Sequence, residues 1–404
     1  MTQNSIADNR MVWLDVVRCV AMLMVIGVHC IDPFYISPTM RVIPEYTHWA
    51  AIYGSLLRPS VPLFVMMTGL LLLPVRQQPL GTFYKKRIFR VLFPFLIWSV
   101  LYSMFPWFTG LLGLPKEIIG DFFCYTQGHE SQSLIDSLKD VAMIPFNFSH
   151  KENHMWYIYL LIGLYLYMPF FSAWVERASN KTKQIFLFIW IVSLFIPYIR
   201  EYVANMLFDR SGYVFGTDTW NEFSMFYYFA GFNGYLLLGH YLKEGGNGNA
   251  LKIFWPFSGS SKDDRLTNDW SVWKTFLICA VMFAIGYYVT YTGFSTTAAN
   301  PNATETEMEL YFTFCSPNVL LMLQKVVINT PVIVKALANM TQCGFGIYMV
   351  HYFVVGPFFL LIGPSEIPIP LQVPLMAVCI FLCSWAFTAL LYKLMPHKAK
   401  YIMG

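Results

Sequence analysis

WLDVVRCVAMLMVIGVHCID, residues Trp13 to Asp32, is an apolar run long enough to cross a bilayer as a helix, yet Asp15, Arg18 and His29 lie inside it. Ionisable side chains are costly in hydrocarbon, so a helix that keeps them must turn them toward a protein interior or a wet cavity. At about 100° per residue, Arg18 and His29 differ by only about 20° in azimuth and stand roughly 16 Å apart along the axis. Asp15 precedes Arg18 by three residues, which lets the carboxylate pair with the guanidinium on the same stripe. An acid, a fixed cation and a titratable imidazole therefore share one face of helix one. The same stripe also fits a purely structural Asp–Arg pair with a hydrogen-bonded core histidine.

The 404 residues are 56% apolar and 18% aromatic with only 12% charged, and the mean hydropathy is +0.50. Those values belong to an all-α polytopic membrane protein rather than to a soluble domain of average usage. The net charge of +4 says little about partners, and no nucleic-acid footprint is visible, because in membrane proteins the placement of Lys and Arg matters more than their sum. Cys19, Cys30, Cys279, Cys343, Cys379 and Cys383 lie in apolar segments without a close CxxC pair and read as small apolar residues, and no metal-ligand set stands out. The first apolar run is expected to remain as helix one, since Arg18 interrupts it and Cys-Ile-Asp-Pro follows where a signal peptide would have a small-residue cleavage site.

Apolar runs of bilayer length number about ten, near 12–32, 50–73, 89–112, 154–174, 185–204, 222–242, 273–293, 309–327, 340–362 and 371–393. With the N-terminus in the cytoplasm, 19 of the 27 basic residues fall in inside segments and 6 outside, leaving Arg18 and Arg58 within helices. The positive-inside rule thus selects N-in and C-in. A single integral membrane domain is expected over 1–404, with 243–269, which holds GGNGN and SGSSKDDR, as a flexible cytoplasmic linker. The long outside connection Leu114–Asn153 is a candidate lid or docking element, and Asn302-Ala-Thr304 has the pattern of a glycosylation acceptor.

Four further stretches carry polar residues where a plain span would not. Arg58-Pro-Ser-Val-Pro-Leu-Phe-Val-Met-Met-Thr-Gly69 begins helix two with a cation and two prolines, and Phe83–Pro94 puts Lys85, Lys86, Arg87 and Arg90 at the inner mouth of helix three. His154-Met-Trp156-Tyr opens helix four, and Gly344-Phe-Gly346-Ile-Tyr348-Met-Val-His351 sets a histidine about midway along helix nine. Each alone is matched by a bland reading as an interfacial aromatic belt, a topology signal or a satisfied core histidine. In this order, with Arg18 and His29, they resemble the acyltransferase-3 family of membrane O-acyltransferases. That family has an Arg and a His separated by ten residues, a PLFF-x-x-SG-like helix, R-x-x-R-x-x-x-P, an H-x-W-F-like segment and a late GIY-x-x-H-like segment. The resemblance covers nearly the whole chain and is closest to members that acetylate surface polysaccharide or its lipid-linked precursors. Cys19 stands where the family usually has Gly, and Thr68 where it usually has Ser; both keep a small side chain.

The resemblance implies transfer of an acyl group, chiefly acetyl, from cytoplasmic acyl-CoA to a hydroxyl of a cell-surface or lipid-linked glycan, by a multi-pass protein of the inner (plasma) membrane. Acetyl-CoA would be a donor substrate, with no permanently bound cofactor. A hydroxyl attacking a thioester needs a base near pH 7, which imidazole supplies, so His29 is the expected general base, or a transient acyl carrier. Arg18, held by Asp15, is expected to meet the donor's pantetheine or phosphates, or the carbonyl oxygen as it becomes anionic. Lys85, Arg87 and Arg90 are expected to hold the donor's phosphates, and Arg58, His154, Trp156 and His351 to face the acceptor. A transporter or flippase of a lipid-linked glycan could line its path with the same buried charges, although no broken-helix pairs or internal repeats stand out. A non-catalytic scaffold is a third reading, against which the Arg18–His29 spacing argues.

Overall fold

The computed structural model describes residues 11–36, 40, 42–113, 132–146, 154–199, 223–245, 272–298, 316–363 and 365–404. Among them the only regular structure is helical. In chain order the helices are α1 (Val12–Ile36), α2 (Pro44–Leu57), α3 (Ser60–Leu72), α4 (Leu80–Leu111), α5 (Leu134–Met143) and α6 (Trp156–Arg177). There follow α7 (Asn180–Tyr198), α8 (Asn233–Gly245), α9 (Val272–Ala298), an unlabelled helix over 316–324, α10 (Pro331–Ile362), α11 (Ile369–Leu394) and α12 (Ala399–Ile402). Seven stretches among the described residues are long and apolar enough to cross a membrane: α1, α2 with α3, α4, α6, Trp273–Thr292 within α9, α10 and α11. The protein is thus an all-α polytopic membrane protein. The remaining expected spans, 185–204, 222–242 and 309–327, are only partly covered by described residues, as is the 114–153 connection, of which 132–146 includes α5. The linker beyond residue 245 and Asn302-Ala-Thr304 lie outside the described residues.

One expected span is not a continuous helix. Over 222–242 the chain makes a 3-10 turn at Ser224–Phe226, passes through Gly231 at φ +88°, and only then enters α8. A left-handed residue ends any right-handed helix, and glycine adopts it without a side-chain clash. At 13 residues, α8 is about 20 Å long, short of the ~30 Å hydrocarbon core.

The helices form two compact units, Met1–Arg58 with Gln78–Leu166 and Ile328–Gly404, and Pro59–Gln77 with Tyr167–Val327. In the first unit α10 packs along α11 and α1, and α1 also carries α2 and α11. The short α12 packs on α4, where Trp98 Nε1 donates to the Ile402 carbonyl at 2.9 Å. In the second unit α3 crosses α8 with backbones almost touching: a Cβ on Gly69 would fall 1.8 Å from the Leu236 carbonyl oxygen, and one on Gly239 would fall 2.0 Å from that of Met66. Membrane helices with no hydrophobic drive between them associate through such small-residue crossings. Gly69, the last residue of the helix-two motif, is therefore a packing glycine. Thr68 beside it donates its hydroxyl to the Phe64 carbonyl at 2.8 Å, so its polarity is absorbed by its own helix. The six described cysteines are free thiols, four of them buried.

Candidate active site

The three histidines that the sequence singles out come together in the first unit. His29 sits on α1, His351 on α10, and His154 in the turn leading into α6. Their ring centres are 5.3 Å apart for His29 and His351, 5.2 Å for His154 and His351, and 6.2 Å for His29 and His154. Aromatic residues wall the cluster. The His154 ring stacks on Tyr352 at 4.4 Å and meets the face of Tyr102 edge-on at 5.2 Å, while Tyr352 also lies edge-on to His29 at 5.4 Å. Tyr102 is held by its hydroxyl on the Met349 carbonyl at 2.8 Å and by stacking on Phe353 at 4.0 Å. Tyr348 donates its hydroxyl to the His154 carbonyl, tying the α6 entry to α10.

His29 Nδ1 lies 2.8 Å from Asp32 Oδ2, one helical turn further along α1. A carboxylate only accepts, so Nδ1 carries the proton and Nε2 presents a lone pair. The His29 side chain keeps 14% exposure. Pro33, the residue after Asp32, has no N–H, so the His29 carbonyl lacks its ordinary i+4 donor although α1 runs on to Ile36. His351 is fully buried; its Nδ1 is 2.6 Å from the Tyr348 carbonyl, which again fixes the proton on Nδ1, and its Nε2 has no partner. His154 is 1% exposed with neither ring nitrogen hydrogen-bonded. Buried polar atoms are nearly always paired, and an unpaired one costs about 1–3 kcal/mol. Three such nitrogens, two on His154 and one on His351, lie around the His29 ring. Zinc would need its nitrogens about 2.0–2.1 Å from one point, and among the described residues no group of three His, Cys, Asp or Glu is arranged to hold a metal ion.

The other expected residues are distributed along the same unit. Asp15 Oδ1 and Arg18 Nη1 are 3.4 Å apart, with side-chain exposures of 4% and 30%. Arg18 is about three turns from His29 on α1, about 16 Å along the axis, and Asp15 about one turn further. Lys85 and Arg90 are exposed and Arg87 is half-buried on α4; Arg87 and Arg90 both act electrostatically on Tyr165 of α6, and Arg90 also on Tyr392 of α11. Arg58, at the end of α2, is half-buried, as is Trp156, whose indole lies 6.4 Å from the Tyr157 ring.

The family model for an acyltransferase domain, acyltransferase-3, matches residues 11–389. The chain belongs to the acyltransferase-3 family. It is a membrane acyltransferase. No curated protein and no solved structure matches it. Within that family assignment, His29, His154 and His351 are brought to one cluster, whereas Asp15 and Arg18 form a separate pair. Asp32 and the tyrosines 102 and 352 were not singled out in the sequence, whereas Tyr348 belongs to the Gly346–His351 motif. Asp32 follows His29 at the same three-residue interval that paired Asp15 with Arg18, so its role was readable; the other two tyrosines are lost among 25 in the chain.

Proposed function

We propose that the chain moves an acetyl or other short acyl group from acyl-CoA, offered on the cytoplasmic side of the plasma (inner) membrane, to a hydroxyl of a cell-surface or lipid-linked glycan. The observation that carries this reading is the Asp32–His29 contact, which holds the imidazole in the tautomer whose Nε2 lone pair is open. Asp32 is a positioning residue; it orients the ring and offsets the positive charge that appears when Nε2 reacts. At about 16 Å from His29 along α1, Arg18 is suited to the donor's pantetheine or phosphates and not to the carbonyl oxygen at the reacting end. Its planar fork gives charge-assisted hydrogen bonds to phosphate. Lys85, Arg87 and Arg90 add cationic charge for the same donor. His154, His351, Trp156 and Arg58 serve the acceptor, whose hydroxyls match orphaned imidazole nitrogens.

The test is the mass of surface glycans from cells with the parent chain, without it, and with His29→Ala at matched membrane expression. An ester mass present only with the parent supports the assignment. Full acylation by the variant would remove His29 from the chemistry, and glycans that vary in amount at the surface but never in ester content would point to transport.

A further inference from the structure

Resting on the acyl-transfer reading, we infer that His29 carries the acyl group and that His351 is a second base, taking the proton of the accepting hydroxyl. The geometry leaves an unprotonated Nε2 on each of two neighbouring rings, because Asp32 fixes the tautomer of His29 and the Tyr348 carbonyl fixes that of His351. Their rings are 5.3 Å apart. A single base would need only one such nitrogen, yet the second is completely buried and has no partner among the described residues, which is costly for a polar atom.

The chemistry assigns each nitrogen a step. His29 Nε2 attacks the thioester carbonyl carbon; the N–C bond forms, the C–S bond breaks, and the thiolate leaves. His29 is then an Nε2-acyl imidazolium whose Nδ1–H stays on the Asp32 carboxylate. The acceptor oxygen attacks the same carbon, the O–C bond forms and the C–N bond breaks, returning its electron pair to Nε2. During that attack neither nitrogen of His29 can take the hydroxyl proton, because one bears the acyl group and the other already bears a proton. His351 Nε2 receives it and later releases it to solvent, which balances the thiolate lost in the first step. His351 is thus a catalytic residue of the second half-reaction alone.

Membranes holding the full chain and its natural acceptor are pulsed with radiolabelled acetyl-CoA, chased with unlabelled donor and quenched, and hydroxylamine-labile label on the purified protein is counted. Two variants guard against a folding failure. His351→Asn keeps a donor for the Tyr348 carbonyl but removes the distal nitrogen, and His351→Gln fills the distal position with an amide that cannot take a proton. The parent is expected to gain and lose label, His29→Gln to gain none, and both His351 variants to gain label and discharge it about 10²-fold more slowly. Uptake of label itself reports a folded donor site. Discharge at the parent rate by either variant overturns the inference, as does failure of both to take label that the parent takes. If esters form on glycan while no chain is ever labelled, the acyl carrier and its second base are both excluded and His29 acts directly; a parent that forms neither label nor ester sinks the underlying acyl-transfer reading.

Discussion

His240 in the second unit and His351 in the first are both sealed from solvent, at 2% and 0% exposure, and their surroundings use them in opposite ways. His240 Nδ1 contacts the Leu73 carbonyl at 3.2 Å, and its Nε2 contacts Lys183 Nζ at 3.1 Å. A carbonyl accepts and an ammonium donates, so a neutral imidazole satisfies both at once. Lys243 joins it by donating to the Leu70 carbonyl at 3.0 Å. Together they cover the C-terminal carbonyls of α3, where cations and N–H donors are favoured. His351 has one nitrogen engaged, His29 one, and His154 none. Residue type and burial are therefore shared by a histidine whose ring is fully paired and one that we propose to be reactive. What separates them is the account of their nitrogens: a closed account reads as a clasp, an open one as a site.

The largest effect expected from breaking this contrast is at His29. Glutamine there can still hydrogen-bond but can neither take a proton nor carry an acyl group, so His29→Gln should lower transfer by about 10²–10⁴-fold or more at unchanged membrane insertion. Ester formation on glycan, measured by mass at matched expression, checks it. Asp32→Asn comes next. The amide can donate as well as accept, so the imidazole is freed to flip its tautomer and turn a protonated Nε2 toward the substrate. A loss of roughly 10- to 100-fold, the range seen when an orienting partner behind a functional histidine is removed, is expected in the maximal rate with little change in donor half-saturation. A larger effect on half-saturation than on rate would make Asp32 a binding group instead.

Arg18→Lys should act on the other quantity. A point charge cannot reproduce the planar fork on a phosphate, so donor half-saturation should rise about tenfold while the rate at saturating acetyl-CoA falls little. Asp15→Asn should follow in the same direction and more weakly, because an anion 3.4 Å from Arg18 is expected to act on the donor only through that guanidinium. Equal activity of Arg18→Lys and the parent at low donor would show that positive charge alone suffices at this position.

Much of the fold was legible because hydrophobic length reports bilayer thickness directly. The expected run 12–32 became Val12–Ile36, and 371–393 became Ile369–Leu394. Apolar windows miss helix that continues into water. The expected 89–112 begins at Leu80 because Lys85, Lys86, Arg87 and Arg90 are good helix formers, and 340–362 begins at Pro331, whose fixed φ suits a first turn. The break before α8 was not legible, since Gly231 in an aromatic stretch looks like any glycine until its φ is known. At the site, periodicity along α1 put Arg18 and His29 on one stripe but said nothing of distance across helices. His154 and His351 lie 125 and 322 residues beyond His29 in the chain, and only packing joins them to it.

The smallest effect on chemistry, and the sharpest control on the contrast, is at His240. Leucine there removes both the donor facing the Leu73 carbonyl and the acceptor facing Lys183. Leaving such buried groups without that partner costs about 1–3 kcal/mol, so His240→Leu should lower the thermal midpoint of the purified protein in detergent. None of the proposed reacting atoms is on His240, so transfer per folded molecule should stay within about twofold of the parent. His351→Leu should do the reverse: it replaces the unpartnered Nε2 by an apolar group beside Tyr348 and Tyr352, and the Tyr348 carbonyl that loses Nδ1–H still accepts its helical i+4 N–H, so its midpoint should fall less than that of His240→Leu while transfer collapses. A stability loss equal to that of His240→Leu, with the two proteins matched for insertion, would mean that the open nitrogen of His351 has a structural use and that counting partners does not distinguish a clasp from a site.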